Sequence, residues 1–282
     1  MSPPIITGAT SLAGVIGDPV RHSLSPTLHN AAYAALGLDV IYCAFVVHEG
    51  DAEVALAGAK ALGFVGLSVT TPHKDAIAKA ADQRTHRAEI LGAANSVAFK
   101  DGASIAECTD GDGLLADLVR ACSFRAEGAR CAVLGAGGAA RAVVLALSDK
   151  GASEVAVINR SPERGRIAAA LAPDVGRLGA LDELSSFDLV VNATSIGLVG
   201  GVEAARVAKS FAAGLHEGQL VVDLVYRPSR TEFLDLAAQR GATVRNGLGM
   251  LVHQAALQVE FFTGHIAPID AMWAVVAAEA TS

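Results

Sequence analysis

The sequence is poor in the residues that mark metal-binding and redox proteins. Among its 282 residues are four cysteines, Cys43, Cys108, Cys122 and Cys131, and none of them forms a CxxC pair. Neither a zinc site nor a thioredoxin-type motif is therefore indicated. The eight histidines form no HExxH or similar cluster. These patterns together predict a reduced, cytoplasmic protein without a metal ion.

Charged residues and long apolar runs are also scarce. Charged residues make up 18% of the chain, the formal net charge is −7, and there is no long basic run. We therefore expect no nucleic-acid partner. No apolar run reaches the roughly 18 residues of a membrane span, so no membrane partner is expected. The first ten residues, MSPPIITGAT, lack the basic segment of a signal peptide.

What is abundant is apolar sequence in short, alternating segments. Apolar residues make up 52% of the chain, enough for a substantial core. Strand patterns at 12–18, 40–47 and 64–70 alternate with helix patterns at 25–37 and 51–63. This order predicts a mainly parallel sheet with helices on its faces.

A second alternation begins near Arg130 with a strand, a glycine turn and a helix that stops at Gly151. The segments 154–160, 188–194 and 219–225 are near-continuous apolar strands of the kind buried on both faces. The sequence therefore predicts two α/β domains.

The boundary between the domains is predicted near 108–113, where a helix of about 112–123 leads across. Two helix patterns, 249–264 and 267–280, end the chain without a further strand. We expect these helices to return to the first domain. The expected division is 1–110 with 247–282 for one domain and 111–246 for the other.

The segment VLGAGGAAR (133–141) carries the clearest local motif. Gly135, Gly137 and Gly138 lie directly after an apolar strand and before a helix, and Ala140 takes the place of a third glycine. Glycines let the backbone approach a dinucleotide pyrophosphate, and the helix N-terminus attracts its charge. A tight structural bend is the alternative for such a turn. With the flanking strands and helix in place, the pattern favours nucleotide binding.

The next strand ends in INRSPER (158–164), where an NAD-binding unit usually carries an acidic residue. Asn159, Arg160 and Ser161 stand there instead, with Arg164 one turn further on. The alternative is a solvated basic turn. Its place on a nucleotide-binding unit favours a site for the 2′-phosphate of NADP.

Polar residues in three further segments are candidates for a substrate site. GDPVRHSLSP holds Ser23 and Ser25. Judged from this segment alone, Ser25 is better interpreted as the N-cap of the helix that follows. GLSVTTPHKDA ends a strand on a hydroxyl and places Lys74 where a helix begins. Asn95 lies among small residues, and Asp110 at the domain boundary is a ligand group or a helix N-cap.

These segments, taken in order, resemble the shikimate dehydrogenase family. The resembling motifs span nearly the whole chain: GDPVRHSLSP, SVTTPHK, GAANS, TDGDG, GAGGAAR, NRS, NATSIGL, YRPSRTEFL and NGLGMLVHQAA. The resemblance implies a two-domain enzyme with an NADP-binding, Rossmann-like domain. It would reduce 3-dehydroshikimate to shikimate with NADPH, a step towards aromatic amino acids.

The resemblance also implies the role of each site residue. Lys74 and Asp110 match the catalytic pair. They also match substrate contacts, together with Ser23, Ser25, Thr70, Asn95, Tyr226 and Gln254. The positions that match the cofactor site are Gly135, Ala136, Gly137, Gly138, Ala139, Asn159, Arg160, Ser161, Arg164, Thr194, Leu224 and Gly247.

Three positions depart from the commonest family pattern and leave alternatives open. Ser68 and Cys108 stand where Asn is usual, and Asn246 stands where Asp is usual. A relative acting on quinate or an amino-shikimate-like compound is one alternative. A nucleotide-binding sensor without chemistry is another, although such a sensor would have no need of Lys74 and Asp110. Either a monomer or a homodimer is compatible with the sequence.

Overall fold

The structure is a computed structural model, and it describes residues 6–197 and 201–277 of the chain. The chain divides into two compact units. The first unit contains the residues up to Thr109 together with Ala255–Val276, and the second contains Asp110–Gln254. The first five residues of the segment considered for a signal peptide, and the last three of the helix predicted at 267–280, lie outside the described residues.

Strands and helices alternate along most of the chain. Up to Glu107 the elements are β1 (Ser11–Gly17), α1 (Ser25–Leu36), β2 (Val40–Val46), α2 (Ala52–Ala61), β3 (Gly66–Val69), α3 (Lys74–Ala80), β4 (Gln83–Arg84), α4 (His86–Leu91), β5 (Ser96–Lys100) and β6 (Ala103–Glu107). From Asp110 they are α5 (Asp110–Cys122), β7 (Arg130–Leu134), α6 (Gly138–Asp149), β8 (Glu154–Ile158), α7 (Pro162–Ala169), β9 (Gly176–Leu178), a 3₁₀ helix (Leu181–Ser186), β10 (Leu189–Asn192), α8 (Val202–Ala212), β11 (Leu220–Asp223), α9 (Glu232–Gln239), β12 (Thr243–Asn246), α10 (Leu248–Thr263) and α11 (Ile269–Val276).

The sheet of the first unit is mixed rather than wholly parallel. Its order is β2-β1-β3-β5-β6-β4. β1 pairs parallel with β2 and β3, whereas β5 runs antiparallel to both β3 and β6. The mainly parallel core predicted from the sequence is present, and the β5–β6 hairpin is an addition to it.

The sheet of the second unit is parallel throughout, in the order β12-β11-β10-β7-β8-β9. The chain order reverses between β7 and β10, which is the arrangement of a dinucleotide-binding Rossmann fold. In such sheets ligands bind beyond the carboxyl ends of the strands at the point of reversal. The Rossmann-like fold predicted for this part of the chain is therefore confirmed.

The strands of the second unit form because their residues are β-branched or leucine and are buried on both faces. β10 and β11 are wholly buried. Val133, Val155 and Val191 belong to one apolar layer of this unit, and Val190 and Val221 to the other. Across the described residues, no helix is long and apolar enough to cross a membrane.

Candidate active site

Ser23 and Ser25 form a turn that leads into α1. Ser25 is buried, and its backbone N–H donates a hydrogen bond of 3.2 Å to Ser23 Oγ. The prediction that Ser25 is the N-cap is wrong, because the cap position is Leu24, which already has helical dihedral angles (φ −83°, ψ −6°). An N-cap side chain accepts from the backbone only when its own residue is extended. Ser25 is therefore the first residue of the helix.

Thr70 and Lys74 flank the turn that links β3 to α3. The Thr70 N–H donates to Ile16 O at 3.0 Å, which holds the residue beside the end of β1. Lys74 is the first residue of α3 and is half-buried, as the sequence predicts for a helix starting there. His73, which the sequence reading missed, is buried and anchors this turn through a 2.7 Å hydrogen bond from Nε2 to Val47 O.

Asn95 is held in place by the residue that precedes Asp110 in the sequence. Its Oδ1 accepts from the Thr109 N–H at 2.9 Å, and its Nδ2 donates to Thr109 Oγ1 at 3.0 Å. Both residues are buried. The backbone N–H of Asn95 donates to Glu107 O at 3.1 Å, so the backbone at Asn95 is held as well as its side chain.

In the second unit, Asp110 opens α5 and is buried. Two glycines in the same turn explain the motif TDGDG, because each lies against another helix. A Cβ on Gly111 would overlap Ala142 O in α6, and one on Gly113 would lie 2.6 Å from the backbone of Gln254 in α10. The close packing of these three helices fixes the start of α5 and with it the position of Asp110.

The glycine turn between β7 and α6 has an open helix N-terminus. Gly135 has a φ of 111°, a conformation that favours glycine, and its N–H donates to Ile158 O at 2.9 Å. Gly137 occupies the cap position of α6, where no side chain caps the helix and where a Cβ would meet nothing within 4 Å. The backbone N–H groups of the first turn, from 138 to 140, therefore suit a phosphate group.

The residues after β8 form a basic turn at the N-terminus of α7. Asn159 Nδ2 donates to Ser161 O at 2.9 Å, and Ser161 Oγ caps α7 by accepting from the Arg164 N–H. The Ser161 hydroxyl keeps its own proton to donate elsewhere. Within residues 6–197 and 201–277, neither Arg160 nor Arg164 forms a salt bridge, and both are exposed. This arrangement can receive a 2′-phosphate group.

A buried network at the ends of β10 and β11 was missed by sequence reasoning. Asp223 is 0% exposed, and its carboxylate accepts from Asn192 Nδ2 at 3.0 Å, the Val225 N–H at 3.1 Å and Thr231 Oγ1 at 2.7 Å. Burial raises the pKa of Asp223, and these three hydrogen bonds partly offset that rise. Asn192 Oδ1 in turn accepts from Thr194 Oγ1 at 2.7 Å. The signal in the sequence was an Asn and an Asp that each end an apolar strand.

The remaining predicted residues lie near this network or on α10. Leu224 and Gly247 touch, because a Cβ on Gly247 would overlap Leu224 O, and the Gly247 N–H donates to Val225 O at 3.1 Å. Tyr226 is half-buried and follows β11 by three residues. Gln254 is buried on α10, where its Nε2 donates to Leu251 O at 2.9 Å.

The described part of the chain contains no group of three or more His, Cys, Asp or Glu side chains that could hold a metal ion. The polar side chains described above are hydroxyls, amides, one imidazole, one ammonium group and two guanidinium groups in addition to the carboxylates of Asp110 and Asp223. They are suited to binding a polar, anionic organic molecule and a phosphorylated cofactor.

Three family models match the chain. Residues 15–97 match the shikimate dehydrogenase substrate binding domain, 117–226 match shikimate/quinate 5-dehydrogenase, and 247–277 match the shikimate 5′-dehydrogenase C-terminal domain. A relative named shikimate dehydrogenase (NADP(+)) from Citrifermentans bemidjiense is 44% identical, with 98% of each chain covered. The chain belongs to the shikimate dehydrogenase family.

Further comparisons extend this result to other members of the shikimate dehydrogenase family. A protein of the same name from Methanopyrus kandleri is 42% identical, with 95% of each chain covered. The solved structure of shikimate 5-dehydrogenase from Thermus thermophilus, in complex with NADP(H) and shikimate, superposes with a TM-score of 0.85. It is 34% identical, with 95% of this chain and 99% of that chain covered. Family membership and the predicted fold are therefore confirmed.

Proposed function

We propose that the chain catalyses the reversible reduction of 3-dehydroshikimate to shikimate with NADPH. The observation that carries this proposal is 44% identity, over 98% of the chain, to a relative named shikimate dehydrogenase (NADP(+)). The presence of Lys74 and Asp110 in the matching motifs supports an active enzyme rather than a sensor. The reaction would serve the synthesis of aromatic amino acids.

We assign the two tasks of the reaction to different parts of the chain. Residues 1–110 and 247–282 form the substrate-binding domain, and residues 111–246 form the NADP-binding domain. Ser23 and Ser25 receive the substrate carboxylate beside the N-terminus of α1, where the helix dipole favours an anion. Thr70, Asn95, Tyr226 and Gln254 make further contacts to the substrate.

Lys74 and Asp110 act together on the substrate oxygen that changes its protonation. When bound, NADPH supplies the hydride that reduces the carbonyl carbon. Lys74 stabilises the negative charge that develops on the oxygen and gives it a proton, so that C=O becomes CH–OH. Asp110 accepts a hydrogen bond from the same region of the substrate.

Replacing Lys74 tests this assignment. We expect Lys74→Ala to lower kcat by about 10²–10⁴, the usual contribution of a positioned acid or base. Binding of NADPH, followed by the change in its fluorescence, should persist. Lys79→Ala is the matched control, since Lys79 is exposed at the other end of the same helix. A near-normal kcat for Lys74→Ala would contradict the assignment.

We infer that Arg160 and Arg164 hold the 2′-phosphate and give the preference for NADP over NAD. Support comes from the absence of a carboxylate at the end of β8 and from two exposed guanidinium groups that form no salt bridge among the described residues. The residues from Gly135 to Ala139 receive the pyrophosphate. Asn159, Ser161, Thr194, Leu224 and Gly247 complete the proposed cofactor contacts.

Replacing Arg160 tests the cofactor assignment. Arg160→Ala should lower kcat/KM with NADP⁺ about tenfold or more, because a charge-assisted hydrogen bond contributes about 1.5–3 kcal/mol. The same variant should react with NAD⁺ nearly as the unmodified enzyme does. Arg166→Ala is the control, since Arg166 lies in the α7 helix that follows Arg160 and is also exposed. Equal losses with both cofactors would show that Arg160 does not recognise the phosphate.

A further inference from the structure

One oxygen atom of Asp223 joins the turns that follow β10 and β11. Asp223 is the last residue of β11, and its Oδ1 accepts from Asn192 Nδ2 at 3.0 Å and from the Val225 N–H at 3.1 Å. Asn192 is the last residue of β10, so one donor belongs to each turn. The second oxygen, Oδ2, accepts from Thr231 Oγ1 at 2.7 Å. Both oxygens of the carboxylate are therefore bonded to donors of the protein itself.

On the β10 side, Asn192 carries this restraint to Thr194. Its Oδ1 accepts from the Thr194 N–H at 3.1 Å and from Thr194 Oγ1 at 2.7 Å, and its Nδ2 also donates to Ile196 O at 3.3 Å. The Ile196 N–H donates in turn to Thr194 Oγ1 at 3.2 Å. The position of this turn therefore depends on Asn192, and the orientation of the Asn192 amide depends on its bond to Asp223.

On the β11 side, the same oxygen fixes Leu224. The Val225 N–H that donates to Asp223 belongs to the peptide group that follows Leu224. The Leu224 N–H, in the preceding peptide group, donates to Asn192 O at 2.9 Å. Both peptide groups of Leu224 are thus bonded to the same two residues, Asn192 and Asp223. Thr194 and Leu224 are only half-buried, so each can present a surface to a ligand.

The turns after β10 and β11 lie on one side of β7, and the basic turn after β8 lies on the other. In a Rossmann fold each half of the sheet receives one half of the dinucleotide, across the point where the strand order reverses. The assignment of the 2′-phosphate to the turn after β8 puts the adenosine half there. The nicotinamide half then belongs to the turns after β10 and β11.

We propose that Asp223 is a positioning residue for the nicotinamide half of NADP, because its Oδ1 fixes the turns from which Thr194 and Leu224 contact that half. Asp223 itself is 0% exposed and touches no ligand. The inference rests on the proposed function, which assigns Thr194 and Leu224 to the cofactor site. Placement matters for hydride transfer, since a displacement of about 1 Å can cost about 10² in rate.

Asp223→Ala removes the shared acceptor. We expect Kd for NADP⁺, measured by calorimetry, to rise about tenfold, as for the loss of one hydrogen bond. Kd for adenosine 2′,5′-bisphosphate, which lacks the nicotinamide half, should stay the same. With shikimate, kcat should fall by about 10². An unchanged Kd for NADP⁺, or an equal rise in both Kd values, would overturn the proposal.

Asp223→Asn is the conservative variant, because it removes the charge but keeps an oxygen that can accept from Asn192 and Val225. Its Kd for NADP⁺ should stay close to that of the unmodified protein, and most of the lost kcat should return. Equal losses for Asp223→Asn and Asp223→Ala would overturn the role assigned to the shared oxygen.

Gln219→Ala is the matched control, since Gln219 precedes β11 at its opposite end and is also buried. Its side chain likewise makes three hydrogen bonds, accepting from the His216 N–H and donating to Leu184 O and Phe187 O. Gln219→Ala and Asp223→Ala should both lower Tm, but Gln219→Ala should leave Kd for NADP⁺ unchanged. A similar rise in Kd for both variants would show that lost stability explains the effect, and would overturn the proposal.

Asn192→Ala provides a second variant if Asp223→Ala does not fold. It removes one of the two donors to Oδ1 and releases Thr194, so Kd should again rise for NADP⁺ and not for the bisphosphate. An unchanged Kd for NADP⁺ would overturn the proposal here too. Both Kd values are measured without shikimate. A protein that binds NADP⁺ but oxidises no shikimate would therefore overturn the proposed function, while the role of Asp223 is still decided by Kd.

Discussion

The two units share the same alternation of strand and helix but stabilise their buried polar groups differently. In the first unit the buried network is neutral: His29, Tyr33, Ser68 and Gln258 exchange hydrogen bonds without a formal charge. In the second unit the corresponding groups include carboxylates. Asp223 is fully buried with three donors.

A second buried carboxylate of the same unit is Asp117. Its side chain is 1% exposed, and its Oδ1 accepts from Arg245 Nη2 at 2.6 Å. A neutral network tolerates the loss of one member at modest cost, whereas a buried charge without its partner costs much more. The difference means that residues of similar burial should respond unequally to mutation in the two units.

The largest expected effect is on the buried ion pair of the second unit. Arg245→Met would remove the ion-pair partner of the buried Asp117 carboxylate, which costs about 3–5 kcal/mol of unfolding free energy. Urea unfolding followed by circular dichroism measures the loss. A second change, Asp117→Asn, should recover much of it by removing the charge.

The control for this prediction is an exposed ion pair of the same unit, Glu203–Arg206. Arg206→Met should leave the unfolding midpoint unchanged, because solvent screens exposed pairs. Similar losses for Arg245→Met and Arg206→Met would break the comparison, since burial would then not decide the effect.

Two threonines that cap helices form a matched pair, and replacing them should cause losses of stability of intermediate size. Thr85 Oγ1, in the first unit, accepts from the Ala88 N–H and caps α4. Thr231 Oγ1, in the second, accepts from the Leu234 N–H and also donates to Asp223. Thr85→Ala should cost about 1 kcal/mol, the usual value of a cap. Thr231→Ala should cost about 1.5–3 kcal/mol more, because it also removes a hydrogen bond to a buried carboxylate.

Thermal and urea unfolding of the two threonine variants measure this difference. Thr231→Ser serves as the rescue, since it keeps the hydroxyl and loses only a methyl group. If Thr85→Ala and Thr231→Ala lose equal stability, the Thr231–Asp223 bond contributes nothing and the contrast between the units is weaker than proposed.

The last expected effect depends on pH and concerns His29. Burial lowers its pKa from 6.5 to about 3, so the unfolded chain takes up the proton first as pH falls. The contribution of His29 to stability is therefore complete above pH 6.5 and is lost progressively from there towards pH 3. The slope for one group is about 1.4 kcal/mol per pH unit.

A variant without this imidazole isolates the slope. His29→Gln should be less stable at pH 7.5, because the stacking on Tyr42 is lost, but its stability should fall less steeply below pH 6.5. Urea midpoints at four pH values between 4.5 and 7.5 give both curves. Parallel curves would show that His29 binds no fewer protons in the folded state than in the unfolded chain.

Much of the fold could be predicted because the apolar patterns are long and because prolines and glycines mark where helices begin and end. In α1, Pro26 lies in the first turn and Gly37 ends the helix with a φ of 67°, both as expected. The start of α3 at Lys74 was likewise predicted from the residues after Pro72. Short strands were missed: β9 has three residues, and β12 (TVRN) has one apolar residue among its four, so neither shows an apolar run.

The candidate site could be predicted only where a residue lies inside a local motif. The glycine turn and the basic turn after β8 are such cases. The side-chain partners of Asp223 are 31 residues before it and 8 residues after it, and Ser68 donates to Gln258, 190 residues away on α10. Pairings at this separation depend on the tertiary fold and leave no periodic signal.

The central claim, that this chain is an NADP-dependent shikimate dehydrogenase, is tested most directly by initial rates of the purified protein. The rates should be measured with shikimate and NADP⁺, with shikimate and NAD⁺, and with quinate and NADP⁺. The account predicts that kcat/KM is highest for shikimate with NADP⁺, by about tenfold or more over NAD⁺ if the 2′-phosphate is bound by even one charge-assisted hydrogen bond. Binding of NADP⁺ without turnover of shikimate, or a higher kcat/KM with quinate, would contradict it.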